Sequence, residues 1–307
     1  MTEDTAPAPE EMRCGFVALI GAPNAGKSTL VNQLVGAKVS IVTHKVQTTR
    51  ALVRGIAIVG PSQIVFVDTP GIFQPKRRLD RAMVTTAWAG AHDADSVAVL
   101  IDARKGIDES VERILRDLAD VRRPKVLILN KVDVTKREKL LELAQAVNAI
   151  VRFDETFMVS ALTGDGVQDL LTYFAGTVRK GPWHYPEDQI SDLPMRMLAA
   201  EITREKMMTR LHDELPYESM VSTDQWKEQR DGSVRIEQTI YVARDTQKKI
   251  VIGAGGATIK WISTQARTEI AETVDRPVHL FLFVKVRENW SDDPERYRDM
   301  GLEFPRG

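Results

Sequence analysis

The chain has 307 residues, a formal net charge of −1, and 28% charged against 43% hydrophobic residues. That composition suits a soluble globular protein of two domains and gives no bulk electrostatic drive toward nucleic acid or an anionic membrane. The single cysteine, Cys14, excludes an intramolecular disulfide and points to a reducing, cytoplasmic compartment. No apolar run approaches the roughly 18 residues that span a bilayer, so a membrane would be reached only peripherally.

Residues 1–12 read as a flexible acidic, Pro/Ala-rich tail without the apolar core of a signal peptide. Phe16–Ile20 predicts a strand and Lys27–Val35 a helix. Ala51–Val59 and Gln63–Val67 predict adjacent strands across the turn Gly60-Pro61-Ser62. Ser96–Ile101 predicts a buried strand, followed by a helix from about Ser110 to Ala119. Lys125–Leu129 and then a helix from about Lys136 to Ala149 repeat the pattern. Phe157–Val159 and a helix from Val167 to Thr177 close it. Residues 72–95 receive no element. The alternation implies an α/β domain over residues 13–180, with a mostly parallel, doubly wound sheet and helices on both faces. Ligands of such sheets sit at the carboxyl ends of the strands.

The prolines and charges of residues 181–192 read as a linker. From 193 to 307 the order changes to a small α+β domain. A long helix runs to about Asp213, then strands Tyr217–Lys227 and Val234–Val242 flank the turn Asp231-Gly232-Ser233. A short helix, a glycine turn, a helix from about Thr258 to Thr273 and a strand Val278–Val286 complete the order α-β-β-α-α-β.

Chemistry concentrates first at Gly21-Ala22-Pro23-Asn24-Ala25-Gly26-Lys27-Ser28, followed by Thr29. Two glycines four residues apart, then Lys and Ser, stand between a predicted strand and a predicted helix. In that context the loop amides and the helix N-terminus cradle phosphates, Lys27 reaches the terminal phosphates and the Ser28 hydroxyl ligates Mg²⁺. Asp68-Thr69-Pro70-Gly71 ends the strand before it. Asp68 can hold Mg²⁺ through water, and Gly71 lets its amide approach the γ-phosphate. In the polar segment Lys38–Arg50, a switch requires a Thr whose oxygens meet Mg²⁺ and γ-phosphate. Thr49 is the favoured residue and Thr48 the alternate.

Asn130-Lys131-Val132-Asp133 selects the base. The Asp133 carboxylate can accept from N1–H and the N2 amino group of guanine, and adenine would leave it buried and unpaired at a cost of about several kcal/mol. Asn130 would tie this segment to the phosphate loop, and the Lys131 stem would lie along the base and ribose. The amides of Ser160-Ala161-Leu162 are candidates to meet the guanine O6.

These four motifs, in this order and with the Gln47-Thr48-Thr49-Arg50 string, resemble the Era family of Ras-like P-loop GTPases. The resemblance covers nearly the whole chain apart from the tail. It implies a switch that binds GTP or GDP with Mg²⁺ and hydrolyses GTP. Lys27, Asn24, Thr49 and Gly71 would be catalytic, and Ser28, Thr49 and Asp68 would hold the metal. The position after Gly71, where many Ras-like enzymes carry a water-orienting Gln, is Ile72. Intrinsic turnover is therefore expected to be slow. The resemblance suggests K⁺ near the phosphate loop, with Asn24 as a ligand.

In the second domain, Gly253-Ala254-Gly255-Gly256 is a G-x-x-G turn between two predicted helices, which lets backbone approach a nucleic-acid phosphate beside a groove for about four unpaired bases. The topology resembles the type II KH domain of ribosomal proteins and the Era family. Lys248, Lys249, Ile252, Gly253, Ala254, Gly255, Gly256 and Lys260 would then contact RNA. Ala254 departs from the Lys or Arg usual between these glycines. Residues 190–307 carry 18 Lys+Arg against 20 Asp+Glu, a net of −2, so binding should rest on groove shape and few phosphate contacts, with a shallow salt dependence. Trp226, Trp261 and Trp290 read as packing more readily than as base-stacking platforms, as do Met195, Met197, Met207 and Met208. The resemblance implies the 3′ end of 16S rRNA and the 30S subunit as partners, no DNA, a monomer, and peripheral contact with the inner membrane. A metabolic P-loop kinase or an RNA scaffold with a vestigial nucleotide fold are the rival readings.

Overall fold

The computed structural model describes residues 11–288, 290 and 293–305, so the tail expected over residues 1–12 lies outside it except for the last two positions. Two compact units result. One comprises the chain up to Ser40 with Thr49–Asp192, and the other Ile41–Thr48 with the chain from Leu193.

The first unit contains β1 (Arg13–Gly21), α1 (Lys27–Val35), β2 (Val53–Val59), β3 (Ser62–Asp68), α2 (Arg78–Asp93), β4 (Ser96–Asp102), α3 (Glu109–Leu118), β5 (Lys125–Asn130), α4 (Arg137–Ile150), β6 (Glu155–Val159), α5 (Val167–Thr177) and β7 (Arg179–Lys180). The sheet runs β2-β3-β1-β4-β5-β6, with β7 paired to β1. β1, β3, β4, β5 and β6 are parallel; β2 is antiparallel to β3. The run Val17–Ile20 is apolar throughout because both faces are covered. The two-residue period sends Ala18 and Ile20 into a core with α2, α3 and α4, and Val17 and Leu19 into a core with α1 and α5.

Helix α2 occupies residues to which the sequence assigned no element. Its buried stripe is Leu79, Ala82, Met83, Ala87, Gly90 and Ala91. Small residues dominate that stripe, so the helical period is present but its hydrophobic contrast is weak. The proline-rich segment 181–192 lies along β2, an edge strand. Ile56 N–H donates to the Ile190 carbonyl at 2.9 Å and Arg54 pairs with Asp192 at 2.6 Å. The Gln63 amide donates to the Tyr185 carbonyl at 2.8 Å, and its oxygen accepts from the amides of His184 and Tyr185. Such cover blunts an edge that would otherwise offer unpaired backbone groups.

The second unit contains α6 (Met195–Arg210), β8 (Ser219–Glu228), β9 (Val234–Val242), α7 (Asp245–Ile252), α8 (Ala257–Val274), β10 (Val278–Val286) and α9 (Pro294–Asp299). Its sheet is ordered β10-β9-β8, antiparallel between β8 and β9 and parallel between β9 and β10. Helices α6 and α8 bury Leu198, Ile202, Ala266 and Ile270 against Val234, Ile236, Val278 and Leu280. Helix α9 was not expected from the sequence. Its Tyr297 is fully buried, and Trp290 ahead of it is buried and donates from its indole to the Glu218 carbonyl at 3.1 Å. Trp226 and Trp261 pack partly buried against the two cores, and Met207 and Met208 are buried. Met195 is exposed.

Candidate functional site

The carboxyl ends of β1, β3, β4, β5 and β6 gather the sequence motifs at one edge of the sheet, on both sides of the switch between β3 and β4 around β1. Gly26 caps α1 with φ 101°, and a Cβ there would meet the Asn130 amide nitrogen at 2.2 Å. The residue must be glycine for the loop to lie against Asn130. That buried amide donates to the Ala25 carbonyl at 2.8 Å and accepts from the amides of Lys131 at 2.8 Å and Ala161 at 3.0 Å. One side chain therefore joins the phosphate loop, β5 and the turn after β6.

Lys27 is buried, with its ammonium donating to the carbonyls of Gly21 at 3.1 Å and Ala22 at 3.2 Å. Burial pushes its pKa down to about 8, against the opposing pull of Asp68. Asp68 is fully buried. Its Oδ2 accepts from the hydroxyls of Ser28 at 2.6 Å, Ser40 at 2.7 Å and Thr49 at 3.2 Å. Its Oδ1 has no hydrogen-bond partner among the described residues. Burial raises the carboxyl pKa, while the Ser28 hydroxyl and Lys27 work the other way. An orphaned buried carboxylate oxygen beside two hydroxyls 2.8 Å apart suits a hard cation that takes oxygen ligands and keeps several waters. The residues therefore fit Mg²⁺.

The two candidate threonines stand in different places. The Thr48 hydroxyl is engaged with Thr43 at 2.7 Å and with the Lys45 carbonyl at 2.9 Å, whereas Thr49 stands on Ser28 and Asp68. After β3, the Thr69 hydroxyl donates to the Leu19 carbonyl at 2.7 Å, with Pro70 buried beside it. A Cβ on Gly71 would lie 2.9 Å from three atoms of Pro23, so only glycine permits the segment to close on the phosphate loop. Ile72 N–H donates to the Gly21 carbonyl at 3.0 Å, and its side chain is buried in the core shared with α2. Nothing at that position can orient a water.

At the base end, Asp133 is exposed and makes no hydrogen bond with a described residue. The burial that the sequence reading assigns to this carboxylate is that of a bound state and would come only beneath a base. Lys131, at φ 71°, spans the site, donating to the Asn24 carbonyl at 2.7 Å and to Asp102 Oδ2 at 2.7 Å. Arg104 grips the same carboxylate at 3.1 and 3.3 Å; burial pushes the Asp102 pKa up, but the bonds from Arg104 and Lys131 outweigh it and hold the carboxyl below the usual range. The amides of Ser160 and Ala161 donate inside the fold, to Asp165 and Asn130, which leaves the amide of Leu162 as the candidate for O6. The Leu162 side chain is 78% exposed. Sequence reasoning missed Ser40, Asp102 and Arg104. Asp102 at a strand end beside β5 was the readable signal; Ser40 had none.

In the second unit, Gly253, Gly255 and Gly256 take φ values of 76°, 58° and 79° between α7 and α8, which left-handed backbone makes costly for any residue with a Cβ. Ala254 and Gly255 are exposed, and Ile252 is half-buried beside them. Lys248, Lys249 and Lys260 form no ion pair with described residues and stand on the helices that flank the turn.

Comparison with known proteins follows this division. A family described as 50S ribosome-binding GTPase matches residues 16–131, and a KH domain family matches residues 214–291. GTPase Era of Rhizobium meliloti (strain 1021) is 67% identical over 304 residues, covering 99% of this chain and 97% of that protein. The chain belongs to the Era family of GTPases. Era of Brucella suis biovar 1 (strain 1330) is 66% identical over 310 residues, covering 99% of this chain and 100% of its own length. Two solved Era structures have a TM-score of 0.89 and 36% identity, each covering 94% of this chain and 99% of its own. One is Era in complex with MgGDPNP and nucleotides 1506–1542 of 16S ribosomal RNA; the other is a variant of Aquifex aeolicus Era bound to GDP.AlF4-.

Proposed function

We propose that this Era-family GTPase is a GTP-dependent switch whose KH unit binds the 3′ end of 16S rRNA and acts in assembly of the 30S subunit. The carrying observation is that one chain brings together the residues of a guanine-nucleotide site and, separately, an exposed glycine turn flanked by lysines that form no ion pair with described residues. The Era relative solved with MgGDPNP and a 16S rRNA fragment supports joining the two. The GTPase family description names the 50S particle, but an RNA of the 16S type belongs to the small subunit, and that favours 30S.

In this reading Lys27 and the loop amides from Gly21 to Thr29 hold the phosphates. Ser28, Thr49 and, through water, Asp68 hold Mg²⁺, which would neutralise phosphate charge in the transition state. Asp133 reads guanine. The segment Ile41–Thr48 belongs to the second unit. There Val42 N–H donates to Glu205 at 2.8 Å and the Arg204 guanidinium donates to the Thr48 carbonyl. Its flanking residues, Ser40 and Thr49, bind Asp68. A γ-phosphate that reorganises Thr49 would thus pull on a segment held by α6. RNA affinity measured with non-hydrolysable GTP, GDP and no nucleotide should differ between the three states. Identical affinities would remove the switch, and phosphate release without a phosphorylated product separates it from a kinase.

With Ile72 buried, turnover needs help from elsewhere. Asn24, at φ 62° in the loop, would ligate K⁺, whose charge substitutes for an arginine finger. Hydrolysis should then be several-fold faster in KCl than in NaCl, and equal rates would exclude the cation. We also place the protein in the cytoplasm as a monomer that binds RNA and not DNA, with at most peripheral membrane contact; among the described residues no helix is long and apolar enough to cross a membrane. Sedimentation and cell fractionation test that placement.

A further inference from the structure

The second unit has a surface that the glycine turn does not use. Along β10 the two-residue period turns Leu280 and Leu282 into the cores under α6 and α8, and turns His279, Phe281, Phe283 and Lys285 to the opposite face. Phe281 is 41% and Phe283 47% exposed, two large aromatic rings two residues apart on an edge strand. Beside them an open depression of about 820 Å³ is formed by the β8–β9 hairpin and the start of β10, lined by Lys227, Arg230, Arg235, His279 and Phe281 among others. The Arg235 guanidinium lies 4.4 Å over the Phe281 ring.

Charge on this surface is not balanced. Its acids are already engaged: Glu228 with Arg276 at 3.2 Å, Glu237 with Arg235 at 2.7 Å, and Asp231 with the Ser233 hydroxyl at 2.7 Å. Lys227, Arg230 and Lys285 form no side-chain bond or ion pair with any described residue, and all three are exposed. The local excess is positive although residues 190–307 carry a net charge of −2. Exposed π faces interleaved with unspent cations suit a flexible polyanion with stackable bases, since base–aromatic stacking is tolerant of sequence and the cations follow the backbone.

We propose that the outward face of β10, with the tip of the β8–β9 hairpin, is a second contact for unpaired RNA, adjoining across the β10 edge the strand held at the glycine turn. The proposal rests on the reading of this unit as RNA-binding. Phe281 and Phe283 would stack bases; Lys227, Arg230 and Lys285 would meet phosphates.

The test uses the full chain and two labelled RNAs from the 3′ end of 16S rRNA, one of about five nucleotides, which fills only a groove for about four bases, and one of about twelve. Binding is followed by fluorescence anisotropy across a salt series. Wild type should bind the longer RNA more tightly. Phe281→Ala with Phe283→Ala should weaken the longer RNA about tenfold or more, and leave the shorter unchanged. Lys227→Gln with Arg230→Gln should flatten the salt dependence for the longer RNA by roughly one to two units of slope. Unchanged binding of the longer RNA by both variants overturns the proposal, and does so decisively if the phenylalanine variant loses a self-association seen in wild type, since the face is then a protein contact. If wild type binds neither RNA, the RNA-binding reading itself fails and this contact falls with it.

Discussion

The nucleotide site and the glycine turn, in the function proposed for each, would meet phosphate in opposite ways. At the first, Lys27, Asp68 and Asn130 are buried and locked by hydrogen bonds, so the cradle is shaped before a ligand arrives. At the second, Ala254 and Gly255 are exposed and the nearby lysines are unpaired with described residues. A compact triphosphate concentrates charge, and stabilising its transition state needs preorganised groups away from water. An extended RNA strand spreads its charge, so an open turn with a few local cations suffices. Removing a group should therefore be costly in the first region and mild in the second.

The largest expected effect is at the base. Asp133→Asn should weaken GTP binding by about 100-fold, the scale of a lost charge-assisted hydrogen-bond pair, and should improve binding of xanthosine triphosphate. Because Asp133 is exposed, the variant should fold as wild type, and unchanged GTP affinity would remove its role.

A second, smaller effect is titration of Lys27. Its pKa in the folded chain is about 8, against an ordinary 10.5. Phosphate binding needs the ammonium, so GDP affinity should fall by up to about tenfold per pH unit as pH rises through 8. Stability should move the other way. Between about 8 and 10.5 the unfolded chain binds more protons than the fold, so the nucleotide-free protein gains stability as pH rises across that window. Opposite slopes in calorimetry and in nucleotide binding sustain the contrast. RNA binding without nucleotide is the control, and a matching decline there would break it.

The mildest change is a gain. Ala254→Lys places a cation between the glycines of an exposed turn and should raise RNA affinity by roughly three- to tenfold, steepening the salt slope by about one. If it instead abolished binding, the turn would be reading RNA by close backbone approach that tolerates no side chain beyond Ala.

Much of the nucleotide site was legible because its members are set by short covalent spacing: Gly21 to Ser28, Asp68 to Gly71, and Asn130 to Asp133 each lie at one strand end. Strands Val234–Val242 and Val278–Val286 match the expected bounds, since alternation on a half-covered sheet is a strong pattern. Helix α2 escaped because Ala and Gly make up most of its buried stripe. Helix α9 escaped because six residues are too few for a period to appear.

By itself the sequence determined the order of motifs, the candidate guanine reader and the absence of a water-orienting side chain at Ile72, because residue identity and local spacing carry that chemistry. Only the tertiary structure decided that Thr49 and not Thr48 joins Ser28, that Ser40 is a third hydroxyl on Asp68, and that Asp102 holds Lys131. It also laid residues 181–192 along β2 and placed Phe281 and Phe283 on an open face. These are meetings of groups distant in the chain, and their partners are chosen by packing and by the demand that buried polar groups find a bond.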